Sequence, residues 1–307
     1  MKLGITCNYL WSGPPIAKIA KKIEDLGFES MWMGEHPIIP VSAANAERYG
    51  VPLPPNYRHM PDPFTSMAAA AAVTSKIRFG TNVCVVPQHD PITLAKTIAT
   101  LDQVSDGRFI FGFGTGWIEE EPEVFGYPFN KRLGITLDYM RAMQALWTED
   151  EASYSGEYVS FPPVLCNPKP VQKPHVPLLV GSGNDKTDNT AILKRVARIG
   201  DGWLPSFLSP AQMTEQLGQL RGFCAEQGRD YEALDISLIV PAISFGVGPL
   251  PPWGANAYDD LEPVNPQELL AEYQEAGVGR ILIGLPDLED DSAFDLLEEV
   301  AAGMGVT

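Results

Sequence analysis

The chain has 307 residues, of which 45% are hydrophobic, and its 39 acidic and 22 basic side chains give a formal charge of −17. This composition is typical of a globular protein with a large core and not of a disordered one. A chain this acidic repels a phosphate backbone and an anionic membrane surface, so neither nucleic acid nor a membrane is an expected partner. The acidic runs at 119–123 and 287–291 are interpreted as solvated loops.

No segment approaches the roughly 20 apolar residues that span a bilayer, and the first ten residues have the pattern of a strand and not of a signal peptide. The cysteines are isolated from one another and form no C-x-x-C pair, which suits a reducing compartment and argues against structural zinc or disulfides. We therefore expect a cytoplasmic protein without a metal site.

Short apolar runs alternate with segments of helical period along the chain. Strands are expected at 3–8, 30–35, 77–86, 109–116, 177–183, 202–207, 236–247 and 280–286. Helices are expected at 14–26, 63–74, 91–105, a stretch ending near 147, 187–199, 210–227, 266–276 and the C-terminus. Apolar strands that alternate with helices indicate an α/β fold with a parallel sheet. Eight such pairs favour a single (β/α)8 TIM barrel over residues 1–307, with a doubly wound sheet as the alternative.

Four helix starts share one signal, a capping side chain followed by proline at the first helical position. They are Asp62-Pro63, Asp90-Pro91, Ser209-Pro210 and Asn265-Pro266. Gln212 and Glu268 stand where they would complete a capping box.

Three insertions interrupt the repeat: 37–61 after strand two, 150–176 before strand five and 248–264 after strand seven. The first and third lie on strand-to-helix connections, the side on which barrels build active sites. We interpret them as walls or lids of a substrate pocket. Family-specific decoration or an oligomer contact is the alternative.

The stretch MWMGEHP places Glu35 and His36 directly after the second strand. A histidine at that end of a barrel strand faces the mouth and exchanges a proton near neutral pH, although a structural role is equally open from position alone. Asn8 and Trp117 also follow strands, and Tyr57 lies in the first insertion. These residues are candidates for the substrate pocket.

Two glycine-rich stretches need separate interpretations. GFGTG at 112–116 lacks the spacing of a dinucleotide fingerprint, so its glycines are expected to let a flat ligand or a backbone approach the barrel wall. LLVGSGND at 178–185 precedes a helix and is typical of a loop whose N–H groups bind a phosphate, with an ordinary turn as the alternative. Together they favour a cofactor held by its phosphorylated tail.

The motifs LGFESMWMGEHP, IRFGTNVCVVPQHDP, GFGTGW, PLLVGSG and ARIGDGW, in this order, resemble those of the bacterial luciferase-like flavin- and deazaflavin-dependent oxidoreductases. The resemblance runs through most of residues 3–207. It implies a barrel that binds FMN or coenzyme F-420 at its C-terminal mouth, a small-molecule substrate and a homodimer. A separate flavin or F-420 reductase is a further partner that it allows.

By this resemblance, His36 is the histidine that assists proton transfer beside the reactive ring. The third strand of many members carries a non-prolyl cis peptide behind that ring, although the sequence does not fix which bond is cis. The resemblance assigns cofactor binding to the third strand, the fourth strand end and the phosphate loop: Asn82, Val83, Cys84, Thr115, Gly116, Gly181, Ser182 and Gly183.

The motifs MGEHP and TNVCVVP look closer to the F-420-dependent branch, which implies hydride transfer to or from a small organic substrate. An FMNH2-dependent monooxygenase that uses O2 is the alternative, and a non-catalytic flavin-binding subunit is a third reading. Sugar-phosphate oxidation is not expected, because Trp117 stands where the sugar-phosphate dehydrogenases of the family have a glutamate.

Overall fold

The computed structural model describes residues 1–7, 9–44, 47–48, 51–53, 55–184, 188–248 and 264–306. Its strands, in chain order, are β1 (Lys2–Thr6), β2 (Ser30–Met33), β3 (Glu47–Arg48), β4 (Val51–Pro52), β5 (Arg78–Thr81), β6 (Cys84–Val85), β7 (Phe109–Gly114), β8 (Ala152–Ser155), β9 (Ser160–Val164), β10 (Leu178–Gly181), β11 (Gly202–Leu204), β12 (Asp235–Pro241) and β13 (Arg280–Gly284).

Eight of these strands form a closed parallel barrel. Their order around the barrel is β1, β2, β5, β7, β10, β11, β12 and β13, and β13 pairs with β1 to close it. The short strand β6 adds to β7 at the C-terminal end. The predicted (β/α)8 TIM barrel is therefore confirmed, and each predicted strand overlaps one strand of the barrel.

The helices that surround the barrel are α1 (Ile16–Asp25), α2 (Val41–Ala44), α3 (Pro63–Ala71), α4 (Pro91–Val104), α5 (Glu121–Val124), α6 (Arg132–Thr148), α7 (Thr190–Ile199), α8 (Pro210–Glu226), α9 (Pro266–Glu275) and α10 (Ser292–Met304). No helix of the described residues has the length and apolar character that crossing a membrane requires.

All four predicted caps form. The side chains of Asp62, Asp90, Ser209 and Asn265 each accept a hydrogen bond from a backbone N–H in the first turn of the helix that follows. The full capping box forms only at Ser209 with Gln212 among these four. At the last cap, the Asn265 side-chain amide instead donates to Glu268 Oε1 at 3.3 Å.

Apolar side chains fill the inside of the barrel, and Trp32 is the largest of them. The cluster also contains Ile110, Leu179, Leu204 and Leu282. Gly80 is required beside the indole ring, because a Cβ there would clash with Trp32. A second and larger apolar cluster lies between the barrel and its helices.

The N-terminal end of the barrel is closed by a buried arginine. Arg280 is 0% exposed and donates from Nε and Nη2 to Glu29, both at 2.9 Å. Its Nη1 donates to the two carboxylate oxygens of Asp235 at 2.8 and 2.6 Å, and to Ser237 Oγ at 2.8 Å. Paired carboxylates and extra hydrogen bonds are what a buried guanidinium needs to offset its lost hydration.

Two of the three predicted insertions are seen in the structure. The first contains α2 and the β3–β4 hairpin, and it packs through Ala43 and Leu53 against Ile118 in the β7–α5 loop. The second contains the antiparallel β8–β9 hairpin. Nearly all of the third, 248–264, lies outside the described residues.

Candidate functional site

The C-terminal mouth of the barrel collects polar and aromatic side chains from several loops. His36 follows β2, Val83 follows β5, Thr115 follows β7 and Ser182 follows β10. Because parallel strands all end at the same edge of a barrel, these residues share one mouth.

The imidazole of His36 is fixed by a buried carboxylate. Its Nδ1 lies 2.6 Å from Oε1 of Glu121, and the two side chains are 8% and 0% exposed. A carboxylate only accepts hydrogen bonds, so the pairing places a proton on Nδ1. Nε2, which bonds to no described residue, is then the ring nitrogen that carries no proton in this tautomer.

The second oxygen of Glu121 is also held. Gln88 Nε2 donates to Glu121 Oε2 at 2.7 Å, so the carboxylate is restrained at both oxygens. Gln88 Oε1 is buried and has no partner among the residues that the structure describes. A chain of hydrogen bonds thus runs from His36 at the mouth through Glu121 to Gln88 inside the protein.

Two aromatic rings enclose His36. Tyr57 stacks on the imidazole with ring centroids 5.0 Å apart, and Trp117 meets it edge-on at 6.1 Å. Burial, with the charge of Asp287, raises the pKa of Tyr57 to about 12, so its hydroxyl stays protonated at physiological pH. His36, Tyr57 and Trp117 were all predicted from the sequence to lie at the mouth, and the structure brings them into one cluster.

Val83 forms a wall of the mouth where two glycines face it. The peptide bond between Asn82 and Val83 is cis, which locates the non-prolyl cis bond expected from the resemblance. A Cβ on Gly114 would lie 2.7 Å from Val83 Cγ2, and one on Gly181 would clash with Val83 Cγ1. Because Gly114 and Gly181 have no side chain, the Val83 side chain can lie close to β7 and β10.

Asn82 supplies a buried acceptor beside this wall. Its Nδ2 donates to Thr6 Oγ1 at 2.7 Å, while its Oδ1 is buried without a partner among the described residues. An unsatisfied buried acceptor costs about 1–3 kcal/mol, so it favours a ligand that donates an N–H group. The Oε1 of Gln88 offers a second such acceptor.

The predicted phosphate loop continues from β10 into α7. Gly183 has a φ of 104°, a conformation that glycine adopts without strain. Trp203 Nε1 donates to the carbonyl of Ser182 at 2.9 Å, and the Ser206 N–H donates to the carbonyl of Gly183 at 3.0 Å. The loop is thus anchored through its carbonyls, while the Ser182 side chain stays exposed. Residues 185–187 lie outside the described chain.

Comparison with known sequences identifies the family. The profile of the luciferase-like monooxygenases matches residues 13–244. The chain belongs to this luciferase-like family. A relative from Mycobacterium tuberculosis, named only as an uncharacterized protein, is 37% identical over 289 residues, which cover 93% of this chain and 92% of that protein.

Two further comparisons give one relative in sequence and one likeness of fold. Another Mycobacterium tuberculosis protein, provisionally named a coenzyme F-420-dependent oxidoreductase, is 28% identical over 68% of this chain and 56% of its own length. The oxygenating constituent of 3,6-diketocamphane monooxygenase from Pseudomonas putida, solved in complex with FMN, superposes with a TM-score of 0.74. It is 16% identical and covers 100% of this chain and 97% of that one, a likeness of fold.

Glu35, the neighbour of His36, is turned away into the protein. It is 5% exposed, accepts the Val85 N–H at 2.9 Å and lies 2.9 Å from His89 Nε2. Burial, with the charge of Glu35 next, raises the pKa of the Cys84 thiol well above its usual range. The hydrogen bond from Val85 to Glu35 connects β6 to the end of β2, next to the wall that Val83 forms in this luciferase-like barrel.

The ligand atoms of Glu35, Cys84 and His89 lie within 4.8 Å of one another, a spacing that a metal ion could use. The hydrogen bonds to Glu35 already account for the arrangement. The absence of a metal site stays a prediction.

The pair of His89 and Glu35 gives a test by pH. Burial opposes the charged form of His89, but Glu35 and Asp62 outweigh it and the pKa is raised above its usual value. The folded protein then holds this proton more tightly, so the stabilisation is complete below about pH 6.5 and is lost as pH rises through the folded-state pKa. We expect the melting temperature of the wild type to exceed that of His89→Gln by more at about pH 6 than at about pH 8.5. An equal difference at both pH values would contradict the pairing.

The other predicted site residues are placed as follows. Thr115 and Gly116 are half-buried at the end of β7, and Gly116 has a φ of 79°. Cys84 is fully buried and points to Glu35, not to the open mouth. Asn8 lies outside the described residues. Their roles in binding stay predictions.

Glu121 was missed because it stands in an acidic run that was interpreted as a solvated loop. That interpretation is wrong for this residue, which is fully buried at the start of α5. Its neighbour Pro122 is also buried, but a proline in the first turn indicates a helix start and not burial, so no local signal identified Glu121.

Proposed function

We propose that the chain is an oxidoreductase that uses coenzyme F-420 to transfer a hydride to or from a small organic substrate. The observation that carries this proposal is His36, whose Nδ1 is held 2.6 Å from the buried Glu121. Hydride transfer at a carbonyl or alcohol carbon requires a proton to be added to or removed from the oxygen. A fixed imidazole with one ring nitrogen open to the mouth is suited to that task.

The residues of the mouth fit a flat ring with a phosphorylated tail. The wall formed by Val83 offers an apolar surface, and Asn82 Oδ1, which has no partner among the described residues, offers an acceptor for an N–H group on the ring edge. The loop of Gly181, Ser182 and Gly183 would hold the phosphate. When bound, the deazaflavin ring supplies hydride transfer and does not supply oxygen chemistry.

The chain's own residues would do the rest. Nε2 of His36 accepts the proton of a substrate alcohol or, in the reverse direction, donates one to a carbonyl oxygen. Glu121 holds the ring in the required tautomer and stabilises the charged imidazolium. Tyr57 and Trp117 contact the imidazole on two sides and keep water away from it.

An FMNH2-dependent monooxygenase is the second candidate. The family is described by its monooxygenases, and the FMN-bound oxygenase from Pseudomonas putida shares the fold. We favour coenzyme F-420 because the relative provisionally named for that coenzyme supports it, as do the MGEHP and TNVCVVP motifs. A homodimer and a separate reductase stay predictions.

Paired titrations test the proposal directly. Purified protein is titrated with coenzyme F-420 and with FMN, each oxidised and reduced, while tryptophan quenching and ligand fluorescence are followed. We expect micromolar or tighter binding of coenzyme F-420 and at least tenfold weaker binding of FMN, a difference of about 1.4 kcal/mol. The opposite preference, with oxygen consumed by the complex with reduced FMN, would overturn the proposal in favour of the monooxygenase.

A further inference from the structure

An open groove of about 400 Å³ lies along α7 on the outer side of the barrel. Helix α7 has 10 residues, whereas the helices on either side, α6 and α8, have 17 each. The groove's walls are Leu133 and Leu137 from α6 and Phe223 from α8. The short central helix thus forms the floor between two longer neighbours.

The floor of this groove is positively charged. Lys194, Arg195 and Arg198 all line it, and residues at spacings of three and four share one face of a helix. None of the three donates a hydrogen bond to a carboxylate or carbonyl within the part of the chain that the structure describes; Lys194 lies only over the Phe223 ring, at 5.2 Å. Partial burial, with the charge of Arg198 next, lowers the pKa of Arg195.

Three cations grouped on one helix face are a local excess of positive charge in a chain that carries 39 acidic side chains against 22 basic ones. Two arginines elsewhere are paired with carboxylates instead, Arg221 with Glu232 and Arg280 with Glu29. Among the described residues that line the groove, Glu226 is the only acidic one. The arrangement keeps a cationic surface open in a protein that repels most anions.

The groove begins beside the predicted phosphate loop. Ala191, in the first turn of α7, lines it, and the residue that precedes α7, Asn189, donates to the carbonyl of Asn184 in that loop at 3.1 Å. From Ala191 to Arg198 the helix rises about 10 Å at 1.5 Å per residue. An anion attached to a phosphate in the loop could therefore continue along the floor of the groove.

We infer that this groove binds the anionic γ-glutamyl tail of the deazaflavin coenzyme, with Lys194, Arg195 and Arg198 pairing with the tail's carboxylates. The inference rests on the proposed function, because coenzyme F-420 carries such a tail beyond its phosphate and FMN does not. The negative charges of the tail's carboxylates complement the positive charges of the three basic side chains on the groove floor. The apolar walls pack against the methylene groups between those carboxylates.

The test compares coenzyme F-420 bearing a long tail with its precursor that ends at the phospholactyl group. We expect the wild type to bind the long-tailed form roughly tenfold more tightly, the sum of a few exposed ion pairs, and to lose this preference at high salt. In Arg195→Gln/Arg198→Gln the preference should disappear, while affinity for the tail-free form stays the same. Arg221→Gln, which removes a more exposed cation of α8 that lies outside the groove, is the control.

The outcomes separate the two proposals. Tail-independent binding by the wild type, or an equal preference in the double variant and the control, overturns the groove alone. Failure of both deazaflavin forms to bind the wild type overturns the proposed function and the groove together. Lys194→Gln, at an exposed position, repeats the test with little risk to folding, and melting temperatures confirm that each variant is folded.

Discussion

Replacing His36 by Asn is expected to lower kcat by roughly 10²–10⁴-fold, the usual contribution of a positioned proton donor or acceptor. Asparagine fills a similar volume and can still bond to Glu121, but it does not exchange a proton near neutral pH. Coenzyme affinity should change little, because the wall formed by Val83 and the loop at Gly181 are untouched. The measurement is steady-state turnover with a coenzyme titration alongside.

Glu121→Gln is the companion variant. It keeps the shape of the carboxylate and an acceptor for the His36 Nδ1–H, but it removes the negative charge that stabilises the imidazolium. We expect a smaller loss of kcat than in His36→Asn and an altered pH profile of turnover. If His36→Asn turns over normally at every pH, the proton-transfer role is wrong. If Glu121→Gln lowers only the melting temperature, its role is structural.

Replacing Arg280 by Met is expected to lower the free energy of unfolding by about 3–5 kcal/mol, because Glu29 and Asp235 would be left without their cation. Both carboxyls are mostly buried, at 25% and 28% side-chain exposure. Chemical denaturation at neutral pH measures the effect. A matched control is Arg221→Met, which breaks the exposed pair with Glu232 and should cost less than about 1 kcal/mol.

The same cluster predicts a dependence on acid. Burial alone would raise the pKa of Glu29 and Asp235, but Arg280 outweighs it and holds both below their usual values. A carboxyl whose pKa is lowered by folding stabilises the folded state at pH values above its unfolded-state pKa, which is near 4. This stabilisation is lost as the pH falls through the folded-state pKa. The difference in the free energy of unfolding between the wild type and Arg280→Met should therefore become smaller at acidic pH. A difference that is constant from neutral pH to about pH 3 would refute the pairing.

The barrel could be predicted from the sequence because its signals are local. Apolar runs marked the strands, and the proline that follows Asp62, Asp90, Ser209 and Asn265 marked four helix starts. Each of these signals depends on a few neighbouring residues. The position of His36 at a strand end also followed from local pattern, since the C-terminal ends of barrel strands share one mouth.

The interactions of the site could not be predicted because they join distant parts of the chain. His36 and Glu121 are 85 residues apart, and His89 and Glu35 are 54 apart. Composition even misdirected the interpretation of Glu121, since a cluster of acidic residues usually indicates exposure. Glu121 is buried because His36 and Gln88 form hydrogen bonds to its two carboxylate oxygens.

The Arg280 cluster and the mouth occupy opposite ends of the barrel. Laboratory evolution could therefore randomise the insertion that carries Tyr57, together with Trp117, and change which molecules enter while the ion pairs of the far end keep the barrel folded. Tolerance to new loops would be greatest there. A screen for altered selectivity needs to leave His36 and Glu121 unchanged, together with Gly114 and Gly181 beside Val83.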